Sequence, residues 1–388
     1  MTNKRRVCVV VTARPSYARI KTALQAIEKH PDLELFLVVG GSALIERYGN
    51  AADVIQSDGF TISARAYSLV EGENLTSMAK TTGLAIMEMS NIFLNVSPDV
   101  VVTVADRYET LATSIAAAYM NIPLAHVQGG EVTGSIDEKV RHANTKIADL
   151  HLVASEYARK RVIQMGEREG SVYVTGCPSI DLARLVSDRT PNLDFDPLGL
   201  YGGVGADIDF TEPYLIVMQH PITTQYEQAR FQVEETLEAI RKIDIQTLWF
   251  WPNSDAGSDG TSKGIRSFRE QYKNHKIRFF KNMSPEHFLT ILNRAETIVG
   301  NSSVAIRECA YLGVPAVNIG DRQAGRDRGK NVVNSDHAAD EIYELIKVQI
   351  AQKGKLEQDL LYGDGTAGQK IADVIAMHEF TTEKMLTY

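Results

Sequence analysis

The sequence predicts an α/β protein with two parallel-sheet domains, and three observations carry that expectation. Short β-branched runs alternate with helix-period patterns almost throughout, and the runs are apolar on both faces, as buried parallel strands are. The alternation lapses once, over Ser187–Pro213, in a stretch rich in Gly, Pro and Asp, and then resumes. At 388 residues the chain is also long for one ordinary core.

The elements follow in order. RVCVVV reads as the first strand, and a helix begins near Pro15 with Ile20, Leu24 and Ile27 at helical spacing. LELFLVVG is the second strand, followed by a long stretch that ends in a helix around Leu84–Leu94. PDVVVTV, a helix over Tyr108–Met120, PLAHVQ, and a helix opened by Ser135 come next. Ser135 with Glu138 three residues on has the spacing of a capping box. HLVAS, a helix around Tyr157–Met165, and SVYVTG complete the first half. The second half reads YLIVMQ, a helix Glu227–Ile243, TLWFWP, a helix Gly264–Tyr272, KIRFF, a helix from Ser284-Pro285, TIVG, a helix Val304–Leu312, and VPAVNIG. A final helix near Ala367–His378 is expected to cross back to the first domain. The expected division is therefore residues 1–186, a linker 187–213, residues 214–366, and a terminal helix within 367–388.

A net charge of −8 gives no electrostatic reason to expect nucleic acid or a membrane surface as partner. An anionic small ligand needs only a local cluster of arginines or helix N-termini. Cys8, Cys177 and Cys309 lie in apolar or near-apolar runs without ligand spacing, which fits buried thiols in a reducing compartment and no zinc site. Lys4-Arg5-Arg6 before VCVVV outlines a signal peptide, but Arg14 and Pro15 cut the apolar run short. No segment is long enough to span a bilayer as a helix, and a cytoplasmic protein is expected.

The chemistry concentrates at strand ends. PLAHVQ runs into Gly129-Gly130 and Glu131, and the next helix places Asp137 four residues before Arg141 and Glu138 four before His142. Two readings fit: a crevice of titratable groups at a strand's carboxyl end, or acidic residues that only complement a helix dipole. Gln219-His220-Pro221 and Trp251-Pro252-Asn253 end two strands of the second half. Gly300-Asn301-Ser302-Ser303 lies between strand and helix, a physical phosphate cradle; a simple serine cap accounts for one serine only. Glu308 is either a ribose ligand or a surface carboxylate, and Arg322 and Arg326 sit in a loop at another strand end. Arg14 follows the first strand and Asp106-Arg107 follow VVVTV. No G-x-G-x-x-G follows the first strand and no Walker lysine loop is present. Asp194/Asp196 and Asp207/Asp209 have the look of metal-binding pairs, but both lie in the irregular linker. Together the strand-end residues point to a nucleotide-linked substrate.

The segments ADRYET, HVQGGEVTGSIDEKVRH, MQHP, WPNSDAG, GNSSVAIRE and GDRQAGR resemble, in order and spacing, the hydrolysing UDP-N-acetylglucosamine 2-epimerases, over nearly the whole chain. The resemblance implies the glycosyltransferase-B-like fold, two Rossmann-like doubly wound domains around a central cleft, without NAD or a metal. It implies anti elimination of UDP to 2-acetamidoglucal, then syn hydration with inversion at C2, yielding N-acetylmannosamine for sialic acid-type sugars. Relatives act on UDP-linked diacetamido sugars of the legionaminic acid type; a glycosyltransferase of the same fold and a non-catalytic UDP-sugar-binding protein are the alternative readings. By resemblance Asp106 and Asp137 are catalytic carboxylates, and Arg141 orients them or touches the diphosphate. Arg14, Arg107, His220, Asn253, Ser302, Ser303, Glu308 and Arg322 match nucleotide-contacting positions. A homo-oligomer is implied as well. Where several members carry HIEGGE this chain has HVQGGE, so Gln128 stands at a catalytic glutamate position. An amide is neither general acid nor base; either Glu131 takes that role, or Gln128 orients the acetamido group or a water.

Overall fold

The computed structural model describes residues 4–72, 74–133, 136–188, 193–252, 257–273 and 275–387. The chain forms two compact units. The first comprises residues up to Glu131, Ile136–Asp181 and everything from Tyr362 on; the second is Leu182–Leu361, with the short stretch from Val132.

The first unit is built on seven strands: β1 (Arg5–Val11), β2 (Leu33–Gly40), β3 (Ile62–Ala66), β4 (Val100–Val104), β5 (Leu124–Val127), β6 (Leu150–Val153) and β7 (Val172–Val174). They pair in the order β3-β2-β1-β4-β5-β6-β7, all parallel. The run VCVVV makes the centre because its valines resist helix and its alternate side chains bury on both faces. Val7, Val9 and Val11 pack with Ile20, Leu24, Ile27, Leu37, Ile371 and Ile375 on one face. Cys8 and Val10 pack with Met89, Ile92, Phe93, Ala116 and Ala117 on the other. The terminal helix, Ala367–Met377, belongs to this unit; Asp181 accepts from Ala367 N (2.8 Å) and Gly368 N (2.7 Å) and so caps its start.

The second unit carries β8 (Val204–Gly205), β9 (Leu215–Met218), β10 (Thr247–Phe250), β11 (Ile277–Phe280), β12 (Thr297–Gly300), β13 (Ala316–Ile319) and β14 (Val332–Ser335). Their order is β14-β13-β12-β9-β10-β11-β8, parallel except for the β8 edge. Ile216, Leu248, Phe250 and Ile298 face one core with Leu289 and Leu292. Leu215, Val217, Trp249 and Val299 face the other with Val233, Leu237, Ile240, Ile342 and Ile346. Both sheets are thus doubly wound in Rossmann order, which puts a topological switch point between β1 and β4 in one and between β9 and β12 in the other.

Several elements differ from the sequence expectation. β3, β14, and the helices Ala51–Ser57, Pro178–Ser187 and Ala339–Ile350 are present beyond those read from periodicity. The helix expected at Gly264 starts at Ser258. The one expected over Val304–Leu312 is broken into a 3₁₀ turn, Ser303–Ala305, and a short helix, Glu308–Leu312. Residues 193–213 pack with the second unit: Leu193, Phe195, Leu198, Tyr201 and Phe210 lie against its core, and β8 joins its sheet. The aspartates of that stretch make local contacts. Asp196 caps Pro197–Tyr201, Asp207 pairs with Arg278 at 3.1 Å, and Asp209 accepts from Thr211. Among the described residues no cluster of three or more His, Cys, Asp or Glu could hold a metal ion. Nor, among them, is any helix long and apolar enough to cross a membrane.

Candidate active site

In the first unit, the carboxyl ends of β1, β4 and β5 deliver Arg14, Asp106 and Gln128 to one sheet edge. Each β4 and β5 ending is a strained turn: Ala105 has φ 62° and Gln128 has φ 67°, a region that side-chain-bearing residues rarely occupy. Gly130 (φ 74°) follows, where any Cβ would lie 2.3 Å from the Ala158 carbonyl oxygen, so only glycine passes. The turn brings Glu131 back into the interior, 3 % exposed.

Arg141 is the centre of this edge. It projects from the helix Ile136–Ile147 and is fully buried, donating Nη2 to Asp106 and Nη1 to the Glu131 carbonyl at 2.9 Å. Burial opposes its charge, yet Asp106, Glu131 and Asp137 together raise its pKa above the ordinary arginine value. All three carboxylates therefore act on one guanidinium, a geometry that holds each beside a fixed positive charge. Arg19, one turn beyond Arg14, adds a second cation 3.5 Å from Asp106. Arg14 itself is half-buried and makes no ion pair among the described residues; burial lowers its pKa to about 10. Arg107 lies along Glu109, at 3.2 Å.

Behind the cluster stands a buried polar network. His126 Nε2 meets the Ala105 carbonyl at 2.8 Å, and Nδ1 meets Thr145 Oγ1 at 3.2 Å. A carbonyl only accepts, so Nε2 carries the proton; burial lowers the pKa to about 3 and the ring stays neutral. Asn144 donates to Thr110 Oγ1 at 2.8 Å and accepts from Ser114 at 2.8 Å. These groups fix the strained turn that carries Asp106. Gln128 donates its amide to Cys177 Sγ at 2.8 Å, and its backbone N–H to the Leu152 carbonyl.

In the second unit, the ends of β9 and β12 meet through Asn301. Its buried side chain accepts from His220 N and donates to His220 O, both at 2.8 Å, bracketing that backbone as a strand partner would. Its own carbonyl accepts from Arg322 Nη1 (3.2 Å) and Gln323 Nε2 (3.0 Å). One asparagine thus ties together the His220, Ser302 and Arg322 loops. Gly300 (φ 134°) permits this meeting, since a Cβ there would lie 2.2 Å from the Met218 carbonyl oxygen. Ser302 Oγ caps the 3₁₀ turn through Val304 N, and Ser303 Oγ accepts from Arg307 at 2.8 Å. Glu308 opens the following helix, buried, and its Oε2 has no hydrogen-bond partner among the described residues. An orphaned carboxylate oxygen at the start of this helix suits a hydroxyl-bearing ligand.

The sequence-derived candidates thus fall into two groups. Asp106, Gln128, Glu131, Asp137 and Arg141 come together in the first unit, with Arg14 and Arg107 on the same sheet edge. His220, Ser302, Ser303, Glu308 and Arg322 come together in the second. Asn253 and the Ser135 capping position lie outside the described residues. Periodicity did not single out Arg19, His126, Asn144 or Asn301. His126 lies inside the PLAHVQ strand and Asn301 inside the Gly300–Ser303 run, whereas Arg19 and Asn144 carry no local signal.

Comparison with known proteins agrees with this architecture. The sequence profile of UDP-N-acetylglucosamine 2-epimerase matches residues 25–376. The chain is 30 % identical to a UDP-N-acetylglucosamine 2-epimerase of Neisseria meningitidis over 96 % of this chain and 95 % of that one. It is also 30 % identical to the UDP-N,N'-diacetylbacillosamine 2-epimerase (hydrolyzing) of Legionella pneumophila, over 99 % of this chain and 100 % of that one. The solved Methanocaldococcus jannaschii UDP-GlcNAc 2-epimerase, in complex with UDP-GlcNAc and UDP, superposes with a TM-score of 0.78 at 17 % identity, covering 96 % of this chain and all of that one. The two doubly wound units therefore form a glycosyltransferase-B-like fold, and the chain belongs to the UDP-N-acetylglucosamine 2-epimerase family.

Proposed function

We propose that the protein is a hydrolysing 2-epimerase that converts UDP-N-acetylglucosamine and water to N-acetylmannosamine and UDP. The observation that carries this reading is the buried Arg141 with Asp106, Glu131 and Asp137 acting on it. The reaction must remove a weakly acidic proton from C2 while the C1–O bond to UDP breaks, then add water to C1 and a proton to C2 from the other face. That requires a base, an acid and neutralisation of the departing diphosphate. Asp106 and Asp137 supply carboxylates for the C2 and glycosidic-oxygen protons. Glu131 takes the second acid/base role, because the Gln128 amide cannot exchange a proton and is already donating to Cys177. Gln128 orients the acetamido group or the water.

The second unit holds the nucleotide in this reading. His220, Ser302, Ser303 and Arg322 gather at one sheet edge, and the open Glu308 oxygen is suited to accept from a ribose hydroxyl. In the first unit Arg14 and Arg107 offer cationic charge to the diphosphate. The hydrolysing rather than the interconverting type is favoured by the Legionella pneumophila relative, whose name specifies hydrolysis. That relative also favours a second substrate, UDP-2,4-diacetamido-2,4,6-trideoxyglucose, on which the same chemistry operates. Three buried cysteines outside any disulfide fit a reducing, cytoplasmic setting.

Incubation with each UDP-sugar, followed by separation of nucleotide and sugar products, tests the proposal. One UDP should appear for each free 2-epimerised sugar. Formation of the UDP-linked epimer without UDP release would contradict the hydrolysing reading, and UDP with an unepimerised sugar would contradict epimerisation.

A further inference from the structure

The helix Ile136–Ile147 carries Asp137 and Arg141 toward its beginning, and its far end is gripped by the last residues of the chain. Lys384 places its ammonium on the carbonyls of Thr145 (3.3 Å) and Ala148, and 2.7 Å from the Glu167 carboxylate. A cation on the last carbonyls of a helix satisfies orphaned acceptors and complements the dipole. Glu167 is nearly fully buried and gathers two further donors, Lys146 from the same helix and His151 Nε2 from β6 at 3.0 Å. Burial works against the charge of Glu167, yet the three donors hold its pKa down to about 2.

The approach to Lys384 is built as well. Arg5 donates to the carbonyls of Ala376 (3.2 Å) and His378 (3.0 Å), and its guanidinium lies 5.1 Å from the centre of the Phe380 ring. Beyond Lys384, Thr387 N donates to the Gly166 carbonyl at 3.1 Å. The segment has no regular structure and is mostly exposed, so these contacts are what place it. The family profile stops at residue 376, short of this whole segment.

We infer that the C-terminal segment is a latch, with Lys384 a positioning residue that fixes the helix bearing Asp137 and Arg141. Lys384 touches no reacting atom. Thr145, whose carbonyl it holds, bonds through its hydroxyl region to His126, and His126 holds the turn before Asp106, so both carboxylate-bearing elements share this support. The catalytic part of the inference rests on the reading of Asp137 and Arg141 given above; the latch itself does not.

The test compares the full chain with Lys384→Met, which keeps length and loses charge, and Lys384→Arg, which keeps both charge and donors. Amide hydrogen exchange over Ile136–Ile147 should quicken about tenfold in Lys384→Met and stay near wild type over the neighbouring helix Glu156–Gln164. With a UDP-sugar that turns over, kcat should fall about five- to tenfold with KM unchanged, and Lys384→Arg should restore most of it. Unchanged exchange in Ile136–Ile147 would overturn the latch, as would faster exchange spread evenly over the first unit. Faster local exchange with an unchanged kcat would overturn the positioning role. If the wild-type protein turns over neither UDP-sugar, the functional reading fails by itself, and the exchange data still decide the latch.

Discussion

Asp137→Asn should reduce turnover by about 10³-fold while leaving UDP affinity within about twofold, the size expected for loss of a positioned acid or base. Asp137 stands in the first turn of Ile136–Ile147 and acts electrostatically on Arg141 from the same helix. Asparagine keeps the shape and removes both the charge and the exchangeable proton. Steady-state rates together with calorimetric UDP binding check the expectation. An active variant would remove Asp137 from the chemistry, and a variant that neither turns over nor binds UDP would assign it to the nucleotide instead.

Arg141→Ala should both abolish activity and destabilise the protein by about 3–5 kcal/mol, because it strands Asp106 at 8 % exposure without its principal cation. Arg19, at 3.5 Å, offers partial compensation only. Arg141→Lys is the sharper experiment. Lysine preserves the charge, yet an ammonium lacks the planar fork that reaches Asp106 with one nitrogen and the Glu131 carbonyl with the other. Turnover should fall about 10²-fold or more with a much smaller loss of stability than for alanine. Thermal melts beside kinetics separate the two effects. Lysine with wild-type kcat would mean that charge alone matters at this position.

Much of the fold was legible because its central strands are unambiguous. VCVVV, VVVTV and TIVG are buried on both faces, as short apolar runs bounded by helix-period segments are expected to be. The edges were not. Ile62–Ala66 alternates with exposed Ser63 and Arg65, and Val332–Ser335 is only half-buried, so neither makes an apolar run. The break between the turn Ser303–Ala305 and the helix Glu308–Leu312 has a different origin: Arg307, which lies between them, bonds Ser303 four residues back, a local geometry that no apolar spacing encodes. Strand-end logic found the residues that project from the two sheets. It does not single out those that hold them, because His126 inside β5 and Asn301 after β12 act through backbone atoms just past the ends of β4 and β9, at Ala105 and His220. The Lys384 contact links residues more than two hundred positions apart and leaves no sequence pattern at all.

The proposed reaction eliminates UDP across C1 and C2 and then adds the hydroxyl of water at C1 and a proton at C2, beside a carboxylate cluster that includes Gln128. The most direct test is a proton NMR time course of UDP-N-acetylglucosamine with the protein in deuterated water, repeated with the UDP-linked diacetamido sugar. The account predicts free UDP and a 2-epimerised sugar whose C2 position carries deuterium, because the original proton leaves before solvent supplies the new one. A released sugar that keeps its C2 proton, or a site that binds UDP and leaves both UDP-sugars intact, would contradict it.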